Sequence, residues 1–519
     1  MIKGELKLCR DYIVGEVDER LFGSFVEHMG ATVYNGIYQP KHSSADEDGC
    51  RQDVIMQTKA LGVTTLRYPG GNFSSGFNWE DSVGPISERP EKLDLAWRSL
   101  EPNSFGLNEF MRWIKKVACQ PIMTVNLGTR SGDDARNLLE YCNFPRGGHY
   151  SNLRIQHGIK APHGIKTWCL GNELDGPWQI AAKTAEEYSR IACEAAKMMR
   201  MVDPAIELVA VGSSHARMES FPEWDRIVLT HAYDYVDYIS LHHYIDKMMD
   251  YAPLSATKVV HEQKNRATTK DYFARNIHVD RQIHTVIAIC DYVRALHRGK
   301  KDIYLAFDEY NVIAEKKHGG TDFVEWTTGS MIDCGEHSME DALVFGSMML
   351  SLLRRADRVK IACQSLLVNT GPLIVALGDI PAFLNTIAYP FMHLSLYGRG
   401  EVLYGVSHIP TFSTDEIVDI PYIDTLAVHD GEHDRVTVFA VNRCEAPVSL
   451  SVDLRDFGSV ISGEHIAMHS DDLSATNNRH KPQAVIPRTR PFSGNGDMAT
   501  HTLAGYSWNV LRFTMKGRG

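Results

Sequence analysis

Two glutamates follow short apolar runs that are typical of buried strands. Glu173 comes just after the run Thr167–Leu170, and Glu309 comes just after the run Ile303–Phe307. If both runs are parallel strands of one barrel, their carboxyl ends open onto the same face and the two side chains share one mouth. Paired carboxyl groups on either side of a sugar carry out glycoside hydrolysis. The alternative is that each is an ordinary surface or ion-paired glutamate, and the placement after two buried strands favours the catalytic interpretation.

Polar side chains also follow the other apolar runs of the chain. A single polar residue at a strand end is ordinary loop chemistry, but many such ends with carboxylates, amides, aromatic rings and few lysines are typical of a pocket for a polyol. The residues at these ends are Glu27, His28, Arg67, Asn72, Asn126, Asn172, Ser213, Ser214, His242, His243, Tyr244, Asp308 and Gln364.

Eight apolar runs are separated by amphipathic segments, and this alternation predicts an α/β fold. Eight strand–helix units are what a (β/α)8 TIM barrel requires, and a doubly wound open sheet is the competing architecture. Helices are predicted at Asp133–Cys142, Thr184–Val202, Ile277–His297 and Met339–Arg355. The predicted strands are Leu21–Val26, Thr64–Tyr68, Pro121–Leu127, Thr167–Leu170, Glu207–Val211, Tyr238–Leu241, Ile303–Phe307 and Lys360–Leu366.

The pattern changes near residue 398, after which alternating strands and turns predict a C-terminal all-β, jelly-roll-like sandwich. Its strands are expected at Thr425–Val428, Arg435–Val441, Val448–Leu454 and Trp508–Thr514. The N-terminal segment Gly4–Ile13 is also predicted as a strand that pairs with this sandwich. Residues 475–496 are predicted as a loop. The expected domains are therefore a catalytic barrel over residues 15–397 and a sandwich made of residues 1–14 and 398–519.

Composition excludes several classes of function. The 519 residues carry a net charge of −11, which is atypical of proteins that bind nucleic acid or an anionic membrane. No run is long enough for a transmembrane helix, and the N-terminus lacks a secretory signal pattern. The ten cysteines form no CxxC pair, which favours reduced thiols and a cytoplasmic location. No cofactor or metal is expected, because His242 and His243 are adjacent on one strand and face opposite sides.

Several long strings resemble the α-L-arabinofuranosidases of glycoside hydrolase family 51. They are RYPGGNFSSGFNWED from Arg67, LGNELDGPWQ from Leu170 and FDEYN from Phe307, with shorter matches from Gly23, Asp94, Tyr389 and Leu503. The resemblance covers nearly the whole chain. It implies a barrel plus a sandwich, with Glu173 as acid/base and Glu309 as nucleophile. It further implies that the sugar is bound by Glu27, Arg67, Asn72, Asn172, His242 and Tyr244.

Tryptophans near these strings are candidate sugar platforms. Trp178 is expected at the rim of the pocket, whereas Trp97 is expected to pack in the interior. For Glu27, the alternative to sugar binding is an ion pair with Arg67. The chain departs from the family pattern at Tyr310, Leu366 and Phe383, and these departures bear on the rim and on the sugar or aglycone.

The expected activity is a retaining exo-hydrolysis of terminal α-L-arabinofuranosides. The expected substrates are short arabino- or arabinoxylo-oligosaccharides, and the family resemblance implies a homo-oligomer, commonly a hexamer. Three alternatives stay open for the enzyme: a β-xylosidase, an endo-glucanase or another pentofuranosidase. A sugar-binding protein without activity is the alternative from a different class, and the intact pair Glu173 and Glu309 argues against it.

Overall fold

Strands and helices alternate from residue 23 to residue 397, and strands dominate thereafter. The computed structural model describes residues 2–248, 267–315, 324–330, 335–494 and 496–516. Its helices are α1 (Gln52–Ala60), α2 (Leu107–Val117), α3 (Gly132–Asn143), α4 (His149–Gln156), α5 (Ala185–Val202), α6 (Glu223–Ala232), α7 (Thr269–Ala274), α8 (Ile277–Leu296), α9 (Met339–Leu353) and α10 (Ala388–Tyr397). Short 3-10 helices lie at Glu19–Phe22, Asn72–Gly76, Trp79–Ser82, Ile86–Glu88 and Arg455–Phe457.

The strands of the first part of the chain are mostly short. They are β1 (Ile2–Lys7), β2 (Ile13–Glu16), β3 (Gly23–Phe25), β4 (Thr65–Tyr68), β5 (Lys92–Asp94), β6 (Ser99–Glu101), β7 (Gln120–Thr124), β8 (Thr167–Cys169), β9 (Glu207–Ala210), β10 (Tyr238–Asp246), β11 (Tyr304–Ile313) and β12 (Val359–Gln364). Those that follow are β13 (Ile374–Val375), β14 (Phe383–Leu384), β15 (Glu401–Leu403), β16 (Val406–His408), β17 (Thr411–Phe412), β18 (Ile420–Pro421), β19 (Ile423–Asp430), β20 (Arg435–Asn442), β21 (Val448–Asp453), β22 (Ser459–His469), β23 (Arg488–Ser493), β24 (Met498–Leu503) and β25 (Ser507–Lys516).

Eight parallel strands close into a barrel in the order β3-β4-β7-β8-β9-β10-β11-β12. The predicted TIM barrel and all eight of its strands are therefore confirmed. The ring closes where Cys363 lies opposite Gly23. A Cβ atom at Gly23 would lie 2.6 Å from the carbonyl oxygen of Ala362, so this closure requires glycine.

Two barrel strands are longer than the sequence predicts. β10 runs to Asp246 and β11 to Ile313, so His242, Tyr244 and Glu309 lie within strands rather than beyond their ends. Irregular register occurs in both strands, between Ser240 and His242 and after Phe307. In each of these strands the apolar run ends before the strand does, because the last residues of the strand include polar groups at the barrel mouth.

The predicted helices are confirmed within one or two residues at each end. α5 begins after Thr184, whose hydroxyl accepts from the amide of Glu187, and it ends before Asp203 and Pro204. This is the N-cap and the stop that the sequence signals. None of the helices in the described ranges is long and apolar enough to cross a bilayer.

Two sheets form the predicted C-terminal sandwich. One has the order β16-β1-β21-β24 and the other β2-β15-β19-β20-β25-β22-β23. Leu6, Val438, Leu450 and Leu511 belong to the apolar core of this sandwich. β1 pairs in parallel with β21, so the N-terminus joins the sandwich as predicted.

Two local predictions were wrong. The expected single strand Gly4–Ile13 is split into β1 and β2, which belong to different sheets. The loop expected over residues 475–496 contains β23, which pairs with β22. β23 is an exposed edge strand that carries Pro491, so it lacks the apolar alternation that would have revealed it.

The barrel and the sandwich share one core. α9 is buried along its whole length, and the core that contains it also contains Phe439 and Trp508 of the sandwich. Asp424 of the sandwich accepts from Arg443 and, at 2.6 Å, from Arg354 just beyond α9. The division into residues 15–397 and residues 1–14 with 398–519 stays a prediction.

Candidate active site

Glu173 and Glu309 face one another across the mouth of the barrel. An oxygen of each carboxylate and a ring nitrogen of His242 all lie within 4.8 Å of one another. Glu173 follows β8 in a turn where its φ is +44°, and Glu309 lies within β11. A left-handed backbone at a residue other than glycine is strained and is found chiefly where its surroundings hold it. These oxygens are closer than the roughly 6.5–9.5 Å that separates the carboxyl groups of inverting glycosidases, which favours the retaining arrangement of about 5–5.5 Å.

Three groups hold the carboxylate of Glu309. Arg67 donates to its Oε2 at 3.1 Å and the hydroxyl of Tyr244 donates to its Oε1 at 2.6 Å, while His242 lies 3.7 Å from Oε2. Burial raises the pKa of Glu309, and the negative Glu173 adds to this rise. The positive charges of His242 and Arg67 and the Tyr244 hydroxyl oppose it.

Both oxygens of Glu173 accept hydrogen bonds from ring nitrogens. His242 Nδ1 lies 2.9 Å from Oε1, and the indole nitrogen of Trp178 donates to Oε2 at 2.8 Å. Trp178 is 44% exposed, so it lies at the rim and also orients Glu173.

Asp308 completes a buried cluster of charges beneath the pair. It lies 3.3 Å from Arg67 and 3.3 Å from His242, and these cations hold its pKa well below the usual range. The carboxylates Glu309, Asp308 and Glu173 raise the pKa of His242 to about 10 against the opposing effect of burial. Two cations thus face three carboxyl groups, and the cluster is neutral when one carboxyl group carries a proton. One acid and one carboxylate are what retaining chemistry requires.

Glu27 forms part of the pocket wall. Its Oε1 accepts from the amide of Phe73 at 2.9 Å and from the indole of Trp97 at 3.0 Å. The alternative ion pair with Arg67 does not form, because Arg67 is engaged by Asp308, Glu309 and Asn172. Burial and the negative Glu309 raise the pKa of Glu27 to about 7.

The predicted site residues fall into two layers around a pocket of about 370 Å³. This volume is near the low end of the roughly 300–1,000 Å³ usual for small-molecule sites. Glu27, Asn72, Glu173, Tyr244 and Glu309 line it. The buried residues Arg67, Asn172 and His242 lie behind this wall.

The layer behind the wall works through hydrogen bonds. Asn172 accepts from Arg67 at 2.7 Å and donates to Asn72 at 3.1 Å, so it links the arginine to the wall. His242, expected to line the pocket, is 2% exposed and lies between Glu173 and Asp308 instead.

Glu173, His242 and Glu309 also have the spacing of a metal site. The imidazole is placed as a cation of this cluster, because the surrounding carboxylates raise its pKa to about 10. Its two nitrogens face Glu173 and Asp308. His243 faces the opposite side of β10, where its ring pairs with Gln282 at 2.7 Å, as the alternation of a strand predicts.

The three departures from the family pattern lie in different places. Leu366 lines the pocket, so it bears on the bound sugar. Tyr310 is fully buried and its ring stacks on Phe345, so it is not part of the rim. It alternates with Glu309 on β11 and therefore faces away from the mouth. Phe383 is partly buried in β14 and is not part of the pocket lining.

Sequence reasoning missed three residues of the site. Trp97, expected to pack in the interior, lines the pocket and holds Glu27. Ser365 also lines the pocket, and its hydroxyl lies 2.9 Å from that of Tyr244. Asp308 is the third residue: the sequence places it at a strand end, but no role was predicted for it. Its position directly before Glu309 on a buried strand was the available signal.

Comparison with known proteins identifies the relatives of this chain. The model of the α-L-arabinofuranosidase 1 domain matches residues 57–257, and that of the α-L-arabinofuranosidase C-terminal domain matches residues 308–507. The chain is 47% identical over 515 residues to the intracellular exo-α-(1→5)-L-arabinofuranosidase of Halalkalibacterium halodurans, covering 98% of both chains. It is 46% identical to the intracellular exo-α-(1→5)-L-arabinofuranosidase 1 of Bacillus subtilis, covering 99% of both.

A solved structure decides the family. The family 51 α-L-arabinofuranosidase of Bifidobacterium longum superposes with a TM-score of 0.91 at 37% identity, over 99% of this chain and 100% of that one. The chain belongs to glycoside hydrolase family 51. The family 51 fold therefore accounts for both the barrel and the sandwich of this protein.

Proposed function

We propose that this family 51 protein is a retaining exo-α-L-arabinofuranosidase in which Glu309 is the nucleophile and Glu173 the acid/base. The observation that carries this proposal is that Glu173 and Glu309 line one pocket at the barrel mouth, with an oxygen of each carboxyl group within 4.8 Å of the other. A pocket, unlike an open groove, suits the removal of a single terminal sugar.

The first half-reaction forms a glycosyl-enzyme. An oxygen of Glu309 attacks the anomeric carbon, and the bond from that carbon to the leaving oxygen breaks. The proton of Glu173 passes to the leaving oxygen, so the aglycone departs as a neutral alcohol. Arg67 and Tyr244 orient Glu309 for this attack through their hydrogen bonds.

The second half-reaction releases the sugar with its configuration retained. Glu173, now a carboxylate, takes a proton from water while the water oxygen attacks the anomeric carbon and the ester to Glu309 breaks. His242 and Trp178 donate to Glu173 and stabilise this charged form. Esterification removes the negative charge of Glu309 before Glu173 acts as the base.

The substrate proposed is a short arabino- or arabinoxylo-oligosaccharide. The two relatives compared above are named exo-α-(1→5)-L-arabinofuranosidases, which favours the (1→5) linkage. Both are named intracellular, and the nine described cysteines are free, which supports a cytoplasmic location. A homo-oligomer, commonly a hexamer in this family, is part of the same proposal.

Stereochemistry gives the sharpest test of the reaction class. We expect proton NMR to detect the α-anomer of L-arabinofuranose first when an aryl α-L-arabinofuranoside is hydrolysed, with the β-anomer appearing only by mutarotation. A panel of aryl pentofuranosides and pyranosides tests the sugar in the same experiment. An inverted first product would exclude the double displacement, and a preference for xylopyranosides or glucosides would favour the β-xylosidase or glucanase alternative.

Replacing the nucleophile tests its assignment. Glu309→Gln is expected to lower kcat by roughly 10³-fold or more, because the amide cannot form the ester. The matched control is Glu432→Gln, which makes the same change on the exposed surface of the sandwich and is expected to keep full activity. Ordinary turnover by Glu309→Gln would refute the assignment.

A further inference from the structure

Asp175 lies two residues beyond Glu173 and connects the loop after β8 to the loop after β9. Its Oδ2 accepts hydrogen bonds from the amide of Ser214 at 2.9 Å and from the hydroxyl of Ser214 at 3.0 Å. Its Oδ1 is buried and has no hydrogen-bond partner in the part of the chain that the structure describes. The carboxylate is therefore attached through Ser214.

The backbone of Glu173 needs such an attachment. A residue other than glycine at φ +44° is strained and keeps this conformation only when its surroundings enforce it. The amide of Gly176 donates to the carbonyl of Glu173 at 2.8 Å, but this bond lies within the same turn. The bonds to Ser214 tie the turn to the loop that follows the neighbouring strand β9.

We propose that Asp175 is a positioning residue for Glu173. Through Ser214 it fixes the turn that aims the carboxyl group of Glu173 at the leaving oxygen. This inference rests on the proposed role of Glu173 as the acid/base, and it assigns to Asp175 no contact with the substrate.

The surroundings of Asp175 make its attachment strong. Burial raises the pKa of Asp175 to about 7, the bonds from Ser214 oppose this rise, and the negative Glu173 adds to it. Hydrogen bonds gain strength in such an environment of low dielectric constant, so the two Ser214 donors carry more weight here than they would on the surface.

The neighbouring serine supplies a matched control. The amide and hydroxyl of Ser213 donate to Asp225 of α6 at 2.9 and 2.6 Å, which is the same arrangement one residue earlier. Asp225 is not part of the turn that carries Glu173. Removing the hydroxyl bond from Ser213 to Asp225 disturbs the same loop but leaves the turn that carries Glu173 attached.

The test compares four variants on two substrates, an aryl arabinofuranoside that has a good leaving group and an α-(1→5)-linked arabinobiose that needs the acid. Asp175→Ala is expected to lower kcat/KM, which reports the first half-reaction, about 100-fold on the disaccharide and less than tenfold on the aryl substrate, because a misplaced acid matters most for a poor leaving group. Ser214→Ala, which keeps the amide donor, is expected to show the same pattern at about tenfold. Asp175→Asn retains an acceptor and is expected to recover most of the loss. Ser213→Ala is expected to leave the ratio between the substrates unchanged.

Equal losses of kcat/KM on both substrates for Asp175→Ala and Ser214→Ala would overturn the positioning role, as would wild-type kcat/KM values. If Asp175→Ala does not fold, Ser214→Ala decides the question. Glu173→Ala, assayed beside them, separates the two proposals. If its kcat/KM falls more on the disaccharide, the acid role of Glu173 stands whatever Asp175 does, and if kcat/KM falls equally on both substrates, both proposals fail.

Discussion

At the scale of single residues, the site depends on polar groups that hold its two carboxyl groups by hydrogen bonds. Arg67 and Tyr244 donate directly to Glu309, while His242 and Trp178 donate to Glu173. Two of these donors are themselves held by Asp308, which lies 3.3 Å from both Arg67 and His242. Catalysis therefore depends on hydrogen bonds arranged before the substrate arrives.

The hydroxyl of Tyr244 offers a direct measurement of one such bond. Tyr244→Phe removes the 2.6 Å donor to Glu309 Oε1 and is expected to lower kcat/KM by about 10- to 100-fold, the value of a hydrogen bond to a charged group. Steady-state kinetics on an aryl arabinofuranoside measures this loss.

The control is Tyr310→Phe, the same change on the opposite side of neighbouring β11. The hydroxyl of Tyr310 is buried without a hydrogen-bond partner among the described residues, so its removal is expected to leave activity unchanged and not to lower stability. Equal losses in both variants would show that Tyr244 acts through packing and not through its hydroxyl.

At the scale of elements, α9 is the part that joins the two halves of the molecule. Every residue of this helix is buried, and the ring of Trp508 from β25 packs against Gly346 at its centre. The sequence shows a helix without a polar face, which indicates burial on all sides. It does not show that the second neighbour is the sandwich.

Gly346→Ala tests this contact. Alanine normally stabilises a helix relative to glycine, but here the new Cβ atom would lie 2.8 Å from Trp508. We expect the free energy of unfolding to fall by about 1–3 kcal/mol, as in other overpacked cores. Urea unfolding measures it, with Gly496→Ala as the control because a Cβ atom there meets open space. A rise in stability would mean that the helix and the sandwich separate easily.

At the scale of the whole molecule, buried acids of the site make stability depend on pH. The native pKa of Glu27 is about 7, above the ordinary 4.5, so the native state holds a proton that the unfolded state has lost between these values. The unfolded state then binds fewer protons, and stability falls as pH rises from about 4.5 to 7.

Glu27→Gln is expected to remove this part of the pH dependence. The fall in unfolding free energy between pH 5 and pH 8 should be smaller in the variant than in the wild type by up to roughly 3 kcal/mol. Urea unfolding at the two pH values gives the difference. An identical fall in both proteins would mean that Glu27 is ionised throughout this range.

The sequence by itself determined the eight barrel strands, the four predicted helices and the positions of Glu173 and Glu309. These follow from local patterns, because apolar runs, caps and strand-end polar residues each lie within a few neighbouring positions. The sequence strings around Arg67, Asn172 and Glu309 resemble family 51, and this resemblance added the expected roles of Glu173 and Glu309.

Only the tertiary structure decided which polar groups meet. Arg67 and Asp308 are 241 residues apart in sequence, yet they lie 3.3 Å apart. Trp97 donates to Glu27 from the hairpin of β5 and β6, whose place at the barrel mouth the sequence pattern did not predict. Ser214 donates to Asp175 from the loop that follows β9. Such contacts depend on the closure of the barrel, which brings the carboxyl ends of distant strands to one face. Local sequence therefore identifies the candidate reacting groups, whereas the closure of the barrel decides which hydrogen-bond and charge partners surround them.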